Sequence, residues 1–177
     1  DKAEFEDALK KLKDSGVEWP IYVRQNKPST EYYTWMPFVA SFGGDYMNRE
    51  TGLCTGTLDG DNTIASFDFL AKLFTDGYAD ATCDYEDSFQ KGENALALYG
   101  HSKYQDYKAA LGDDLIPVPL PDMGHGVYTC SGSTVMIMTT GAQESGNDDA
   151  VWAMLQEATN PDYIKMVVDV NGAVPAR

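Results

Sequence analysis

The chain has 177 residues, of which 43% are hydrophobic and 23% are charged, and its formal net charge is −15. These values are typical of a folded globular protein with one domain or one large lobe. The 28 acidic residues are scattered along the chain, and no cluster of Lys and Arg is available for a phosphate backbone. We therefore expect no nucleic acid partner, and anionic membranes are disfavoured, whereas a neutral or cationic small ligand stays open.

The three cysteines, Cys54, Cys83 and Cys130, are far apart in the sequence. They form no Cys-x-x-Cys motif and have no nearby histidine partner, so we expect neither a zinc site nor thioredoxin-type chemistry. One disulfide plus a free thiol and three unpaired thiols are both consistent with this pattern. Nucleotide-binding glycine patterns are also absent, and we expect no cofactor.

The two longest apolar runs, Leu115–Leu120 and Val135–Met138, are too short to span a bilayer. The sequence opens inside an apparent helix without a signal-peptide pattern. It ends as abruptly at Pro175-Ala176-Arg177, and from both ends we expect a piece of a longer protein.

Periodic hydrophobic residues predict three helices in the first half of the chain: Asp1–Ser15, Ser29–Phe42 and the segment ending at Gly77. Ser29 or Thr30 is expected to cap the second helix, and Asp59 or Asp61 the third. In the third helix we expect the buried stripe to be Ile64, Phe67, Leu70, Ala71 and Phe74. The polar, glycine-containing stretch Asp45–Thr57 predicts a small hairpin.

Residues 87–104, with the sequence DSFQKGENALALYGHSKY, carry the pattern around which we expect the chain to be organised. They predict the end of a short helix, a turn at Gly92, a core strand at Ala95–Tyr99 and a second helix. A first strand is predicted at Trp19–Val23. Ligands of open α/β sheets bind beyond the carboxyl ends of the strands, where we expect His101, Ser102 and Tyr104.

The last third of the chain predicts a proline-rich edge strand or extended connector at Leu115–Pro121 and a core strand at Val135–Met138. Two helices follow, the first capped by Asn147 or Asp148 and the second by Asn160. Their expected inward residues are Val151, Met154, Leu155, Ala158, Ile164, Val167 and Val168. Because helices and strands alternate along the whole chain, the predicted fold class is α/β.

Several motifs follow one another in a recognisable order over nearly the whole chain. They are Glu31-Tyr-Tyr-Thr-Trp35 with Phe42-Gly43-Gly44, Phe89-x-x-Gly92-x-x-Ala95 with Gly100, Pro117–Pro121 with Gly132–Thr140, and Gly172–Arg177. In this order they resemble the extracellular solute-binding proteins of sugar importers, the family of the maltose-binding protein. The resemblance implies a lobe of the two-lobed periplasmic-binding-protein fold of type II, with a mixed sheet flanked by helices.

The same resemblance implies how the chain is divided and what it does. Residues 1–126 would form the core of the second lobe, and residues 127–177 the crossing strand and helices that pack with a missing first lobe. The lobes would close on a ligand by a hinge motion. The implied function is non-enzymatic: capture of a sugar or oligosaccharide outside the cytoplasmic membrane, in the periplasm or lipid-anchored, and delivery to the membrane permease of an ABC importer.

Two other functions stay open. A carbohydrate-active hydrolase would need paired carboxylates, such as Asp84 with Glu86 or Asp87, although a solvated loop also explains these acids. The other alternative is a lobe that makes only protein contacts.

By resemblance, Tyr32 lines the sugar cleft, with Trp35 one helical turn further on and Glu31 as an acceptor for hydroxyl groups. Aromatic rings suit the C–H faces of pyranoses because they combine an apolar body with a polar tip. The competing interpretation is that Trp35 and Tyr33 pack in the core and that Glu31 is solvated.

After Gly100 the family often has a tryptophan where this sequence has Ser102. A stacking surface there would have to come from Tyr99, His101 or Tyr104, although a lone surface histidine is the simpler interpretation of His101. Ser131 and Gly132 match a loop that offers backbone N–H groups to ligand in the family, and a plain turn is the alternative.

Overall fold

The computed structural model describes residues 1–25, 28–82, 87–132, 135–172 and 174, without the side chains of residues 28–31 and 171. In chain order the elements are α1 (Lys2–Asp14), β1 (Ile21–Val23), α2 (Pro28–Ser41), α3 (Asp61–Thr75), β2 (Leu96–Leu98), α4 (Tyr104–Leu111), α5 (Thr140–Glu144), α6 (Asp148–Ala158) and α7 (Pro161–Asn171). Short 3-10 turns flank α4 at His101–Lys103 and Gly112–Asp114.

The chain divides into two compact units. The first comprises residues 1–100 and 106–131, and the second comprises residues 101–105 and 132–177. The fold is helix-rich, with a small parallel sheet, and is compatible with one lobe of an α/β binding protein. The assignment of residues 1–126 to the core of the second lobe, and of residues 127–177 to a crossing strand and helices that pack with the first lobe, stays a prediction.

The predicted first helix is confirmed as α1. Its amino terminus is closed by a capping box, in which Asp1 accepts from the Glu4 N–H and the Glu4 side chain binds back to the N-cap residue. Leu9 is buried, whereas Phe5 packs partly buried against the core. The i, i+4 spacing of these apolar residues therefore marks the face that α1 presents to the core.

Both predicted strands of the first unit are confirmed, with shorter bounds. β1 and β2 pair in parallel, with Ile21 opposite Leu96 and Val23 opposite Leu98. All three residues of β1 are buried, as expected for a strand covered on both faces. The parallel order brings the carboxyl ends of both strands to the same edge of the sheet.

The buried stripe predicted for α3 is confirmed at Leu70 and, partly buried against the core, at Phe74, and it is wrong at Ile64, Phe67 and Ala71. The residues that α3 buries are Thr63, Ser66, Phe69, Leu70 and Leu73, whereas Ile64 is 48% exposed and Phe67 is 38% exposed. Two small polar residues occupy the inward face because their hydroxyl groups find backbone partners there. The Thr63 hydroxyl lies 2.9 Å from the Thr57 carbonyl oxygen, and the Ser66 hydroxyl donates to the Thr63 carbonyl.

Gly44 has no room for a side chain because Thr63 of α3 lies directly against it. A Cβ atom at Gly44 would lie 2.6 Å from Oγ1 and 2.9 Å from Cα of Thr63. The backbone after α2 therefore passes α3 more closely than any side chain would allow.

The hairpin predicted at Asp45–Thr57 is wrong, because the described backbone there forms turns rather than paired strands.

The cap predicted for α3 is wrong as well. Gly60 is the N-cap and makes no side-chain cap, while the Asp59 carboxylate accepts from the Gly56 N–H instead. Caps predicted at Ser29 or Thr30 concern side chains outside the described residues. Residues 87–92 form turns, with Gly92 at φ 76°, rather than a helix end.

The core strand predicted at Val135–Met138 is wrong. These four residues have no regular secondary structure and are exposed, and the described part of the second unit contains no strand with which they could pair. A strand needs such a partner to satisfy its backbone groups. The predicted Leu115–Pro121 connector is confirmed as a segment without strand pairing.

The two predicted helices of the second unit are confirmed as α6 and α7. Asn160 caps α7 by accepting from the Tyr163 N–H, and Gly172 ends it in the left-handed conformation. Asn147 is the N-cap of α6 but makes no side-chain cap. Met154, expected inside, is 59% exposed, so the inward face of α6 is narrower than predicted.

Candidate functional site

A surface of three tyrosines lies at α2 and the turn that follows it. Tyr32 and Tyr33 belong to α2 and are 44% and 50% exposed. Their rings meet edge to face at 5.8 Å between centroids, and Tyr32 meets Tyr46 in the same way at 5.9 Å. We call Tyr32, Tyr33 and Tyr46 the tyrosine surface. Its rings present apolar area and hydroxyl groups to solvent at one place.

An ion pair adjoins the tyrosine surface. The Asp45 carboxylate accepts from Nε of Arg49 at 2.9 Å and from its Nη2 at 3.2 Å. The Arg49 guanidinium lies over the Tyr46 ring, 4.9 Å from the centroid. The Arg49 hydrogen bond lowers the pKa of Asp45 despite partial burial, and the Asp45 carboxylate raises the pKa of Arg49. The pair therefore keeps both charges while cancelling them locally.

Tyr32 is a neutral phenol over a wide range of pH. Two effects raise the pKa of Tyr32: partial desolvation is the larger, and hydrogen bonding with Tyr46 is the second. The Cys130 thiol lies 3.7 Å from the Tyr32 carbonyl oxygen, and burial raises the pKa of this thiol. Both groups are thus uncharged near neutral pH, which suits contact with an uncharged molecule.

A cleft of about 370 Å³ opens beside the ion pair at the start of α3. Four glycines leave room for it, and the polar residues around it include Asp45, which also binds Arg49. Its lining consists of Gly43, Gly44, Asp45, Gly56, Thr57, Gly60, Asp61, Asn62 and Thr63. The lining is more polar than apolar, which favours hydrogen bonding over apolar contact.

Tyr99 belongs to a different aromatic group, at the carboxyl ends of the two strands. Its hydroxyl accepts from Nη1 of Arg24 at 2.6 Å, and the guanidinium lies 5.1 Å from the ring centroid. The ring stacks on Tyr22 and meets Tyr107 edge to face. Tyr99 thus lies at the edge where an open α/β sheet binds ligands, and its contacts there are with Arg24, Tyr22 and Tyr107. Among the described ring contacts, none links Tyr99 to Tyr32.

The other predicted site residues have varied environments. Trp35 is half-buried and packs against the core, as the competing interpretation has it, whereas Tyr33, which that interpretation also placed in the core, is exposed. Glu31 lies in α2, but its side chain is outside the described residues. His101, Ser102, Tyr104 and Gly132 are exposed and belong to the second unit, and Ser131 is exposed at the end of the first.

Sequence reasoning missed Tyr46 and Arg49 at the tyrosine surface, and it missed Arg24 beside Tyr99. The i, i+4 spacing of Asp45 and Arg49 was a usable signal, because it is the spacing of ion pairs in helical turns. Nothing comparable marked Arg24, whose contact with Tyr99 depends on the parallel pairing of two distant strands.

The described residues give little support to other chemistries. They contain no group of three or more His, Cys, Asp or Glu side chains that could hold a metal ion. Of the carboxylates considered for hydrolysis, Asp87 pairs with Lys91 at 2.9 Å, while Asp84 and Glu86 lie outside the described residues. Cys83 is also outside them, and Cys54 and Cys130 are free thiols.

Across the helices of the described chain, none is long and apolar enough to cross a membrane.

Aromatic rings and polar groups are the lining that small-molecule sites use, and both are present here, in the tyrosine surface and in the cleft beside Asp45. The family model described as bacterial extracellular solute-binding protein matches residues 2–165, and the chain therefore belongs to this family. The protein is accordingly extracytoplasmic, in a family whose members bind solutes and are typically not enzymes. A search of curated proteins found no match.

Proposed function

We propose that the bound solute is a sugar or oligosaccharide and that the tyrosine surface forms part of its binding site. The observation that carries this proposal is the exposure of Tyr32 and Tyr33 as edge-to-face rings on one helix. A ring pair of this kind offers apolar area to pyranose C–H groups, and its hydroxyl groups can bond to sugar hydroxyls.

The electrostatics support an uncharged solute. The Arg49 guanidinium lies over the Tyr46 ring of the tyrosine surface, and Asp45 already neutralises its charge through two hydrogen bonds. The net charge of −15 opposes approach by anions. Sugars avoid this penalty and can use the hydroxyl and backbone groups that the region provides.

The physiological setting that fits this role is import. The protein would act in the periplasm or anchored by a lipid at the cell surface, closing on the sugar between two lobes and then docking on the permease of an ABC importer. The further residues proposed to contact the solute are Glu31, Trp35, Tyr99, His101, Ser102, Tyr104, Ser131 and Gly132. Closure would remove water from the tyrosine surface and so strengthen its contacts.

Titration calorimetry with a panel of neutral mono- and oligosaccharides tests the proposal on the protein as its gene encodes it. We expect Tyr32→Ala to weaken binding about three- to tenfold, the loss of one aromatic contact. Tyr163→Ala is the matched control, because Tyr163 lies on α7 with nearly the same exposure as Tyr32. Unchanged affinity in Tyr32→Ala would remove Tyr32 from the site.

The same panel separates the alternatives. Binding of no carbohydrate at all would favour a lobe that makes only protein contacts. Shortened oligosaccharides after long incubation would instead identify a hydrolase, and both results would overturn the proposal.

A further inference from the structure

A continuous series of contacts leads from a buried residue of α3 to the exposed ring of Tyr32. Arg49 is held by Asp45 through two hydrogen bonds and lies over the ring of Tyr46. Tyr46 in turn meets Tyr32 edge to face at 5.9 Å. Every member of this series belongs to the first unit.

The series begins at a fixed point. The Asp45 N–H donates to Oγ1 of Thr63 at 3.2 Å, and Thr63 is 1% exposed. The Tyr46 N–H donates to Oδ1 of Asp45 at 2.7 Å, so the same carboxylate holds both the backbone of Tyr46 and the side chain of Arg49. The position of the guanidinium over Tyr46 is therefore set by the core and not by the exposed loop alone.

We propose that Asp45 and Arg49 are positioning residues, which act through Tyr46 to fix the ring of Tyr32 in the orientation that meets the solute. This inference rests on the proposed function of the tyrosine surface. Arg49 suits the role because a planar guanidinium can stack on a ring while its edge is held by a carboxylate. Without it, the Tyr46 ring loses the cation that lies over it, and Tyr32 loses a fixed ring to pack against.

Fluorine NMR tests the positioning without any solute. The protein is labelled with 3-fluorotyrosine, and the Tyr32 resonance is assigned by its loss in Tyr32→Phe. We expect both Arg49→Ala and Asp45→Asn to shift or broaden the Tyr32 line. The effect should be smaller in Arg49→Lys, which keeps the positive charge but not the planar guanidinium that binds Asp45 through two N–H groups. Lys10→Ala breaks a comparable exposed i, i+4 ion pair on α1 and should leave this line unchanged.

A double-mutant cycle then asks whether the effect passes through Tyr46. In the Tyr46→Ala background, Arg49→Ala should no longer change the Tyr32 line. An effect of equal size in both backgrounds, or an unchanged Tyr32 line in Arg49→Ala, would overturn the inference, because a merely structural role for Arg49 requires no such dependence.

Calorimetry with maltotriose as the probe separates this inference from the proposed function. We expect Arg49→Ala to lower the affinity about two- to fivefold, the range of an exposed cation–π contact, and to add nothing to Tyr46→Ala. If the Tyr32 line responds through Tyr46 while Tyr32→Ala leaves maltotriose binding unchanged, the proposed function fails and the positioning of the ring stands.

Discussion

The hydroxyl oxygen of Ser41 accepts the backbone N–H of Met123 at 2.8 Å, which joins the end of α2 to a loop far along the chain. The same hydroxyl donates to the Gly126 carbonyl oxygen at 2.5 Å, and Ser41 is 2% exposed. One small side chain thus satisfies two backbone groups of the segment that follows the proline-rich connector.

Replacing Ser41 tests the importance of this connection. We expect Ser41→Ala to lower the free energy of unfolding by about 1–3 kcal/mol, because it leaves a buried N–H and a carbonyl without their partner. Denaturant unfolding followed by circular dichroism measures the change. Ser15→Ala is the control, since water can replace its exposed hydroxyl; an equal loss in both variants would contradict the prediction.

Gly44 should tolerate no side chain. We expect Gly44→Ala to destabilise the protein by about 1–3 kcal/mol, because the new Cβ would overlap the backbone and hydroxyl of Thr63. At Gly141, by contrast, a Cβ would meet its nearest atom at 3.6 Å, an ordinary contact. Gly141→Ala should therefore be close to neutral in thermal unfolding, and a neutral Gly44→Ala would show that the two segments can separate cheaply.

The inward face of α3 can be checked directly. We expect Leu70→Ala to cost about 2–5 kcal/mol, as for a large buried side chain. Ile64→Ala should cost less than about 1 kcal/mol, because nearly half of that side chain is already in water. Chemical denaturation of both variants measures the difference. A loss at Ile64 as large as the loss at Leu70 would contradict this prediction, because it would place Ile64 on the inward face as hydrophobic periodicity predicts.

Stability should depend on pH through Asp45. Its pKa is lowered in the folded protein, chiefly by the Arg49 hydrogen bond, so its ionised form stabilises the fold above the unfolded pKa of about 3.9. This contribution is lost as the pH falls through the lower folded value. The stability difference between the wild type and Asp45→Asn should thus be constant between about pH 5 and 7 and shrink below about pH 4. A difference that is independent of pH would contradict it.

Local signals in the sequence were enough for the elements whose ends are set by their own residues. The period of α1, the strands around Tyr22 and Ala97 and the glycine that ends α7 are all confirmed. The inward face of α3 could not be predicted in this way, because Thr63 and Ser66 are polar and become core residues only through partners supplied by the fold.

The site follows the same division. Tyr32 was named from resemblance to a family and stays a prediction as a solute contact, although the structure shows its exposure. The contribution of Tyr46 and Arg49 arises from contacts between a helix and the turn after it, which no periodicity encodes. The run Val135–Met138 has the composition of a strand, but the described part of the second unit offers it no neighbouring strand with which to pair.

The parallel pairing of Ile21–Val23 with Leu96–Leu98 has a consequence for biosynthesis. While the ribosome is still adding the helices between them, the first strand has no partner strand and exposes an apolar edge. Nascent chains that stop short of Leu98 should therefore be aggregation-prone and depend on chaperones, and release from that dependence should coincide with emergence of the later segment from the exit tunnel.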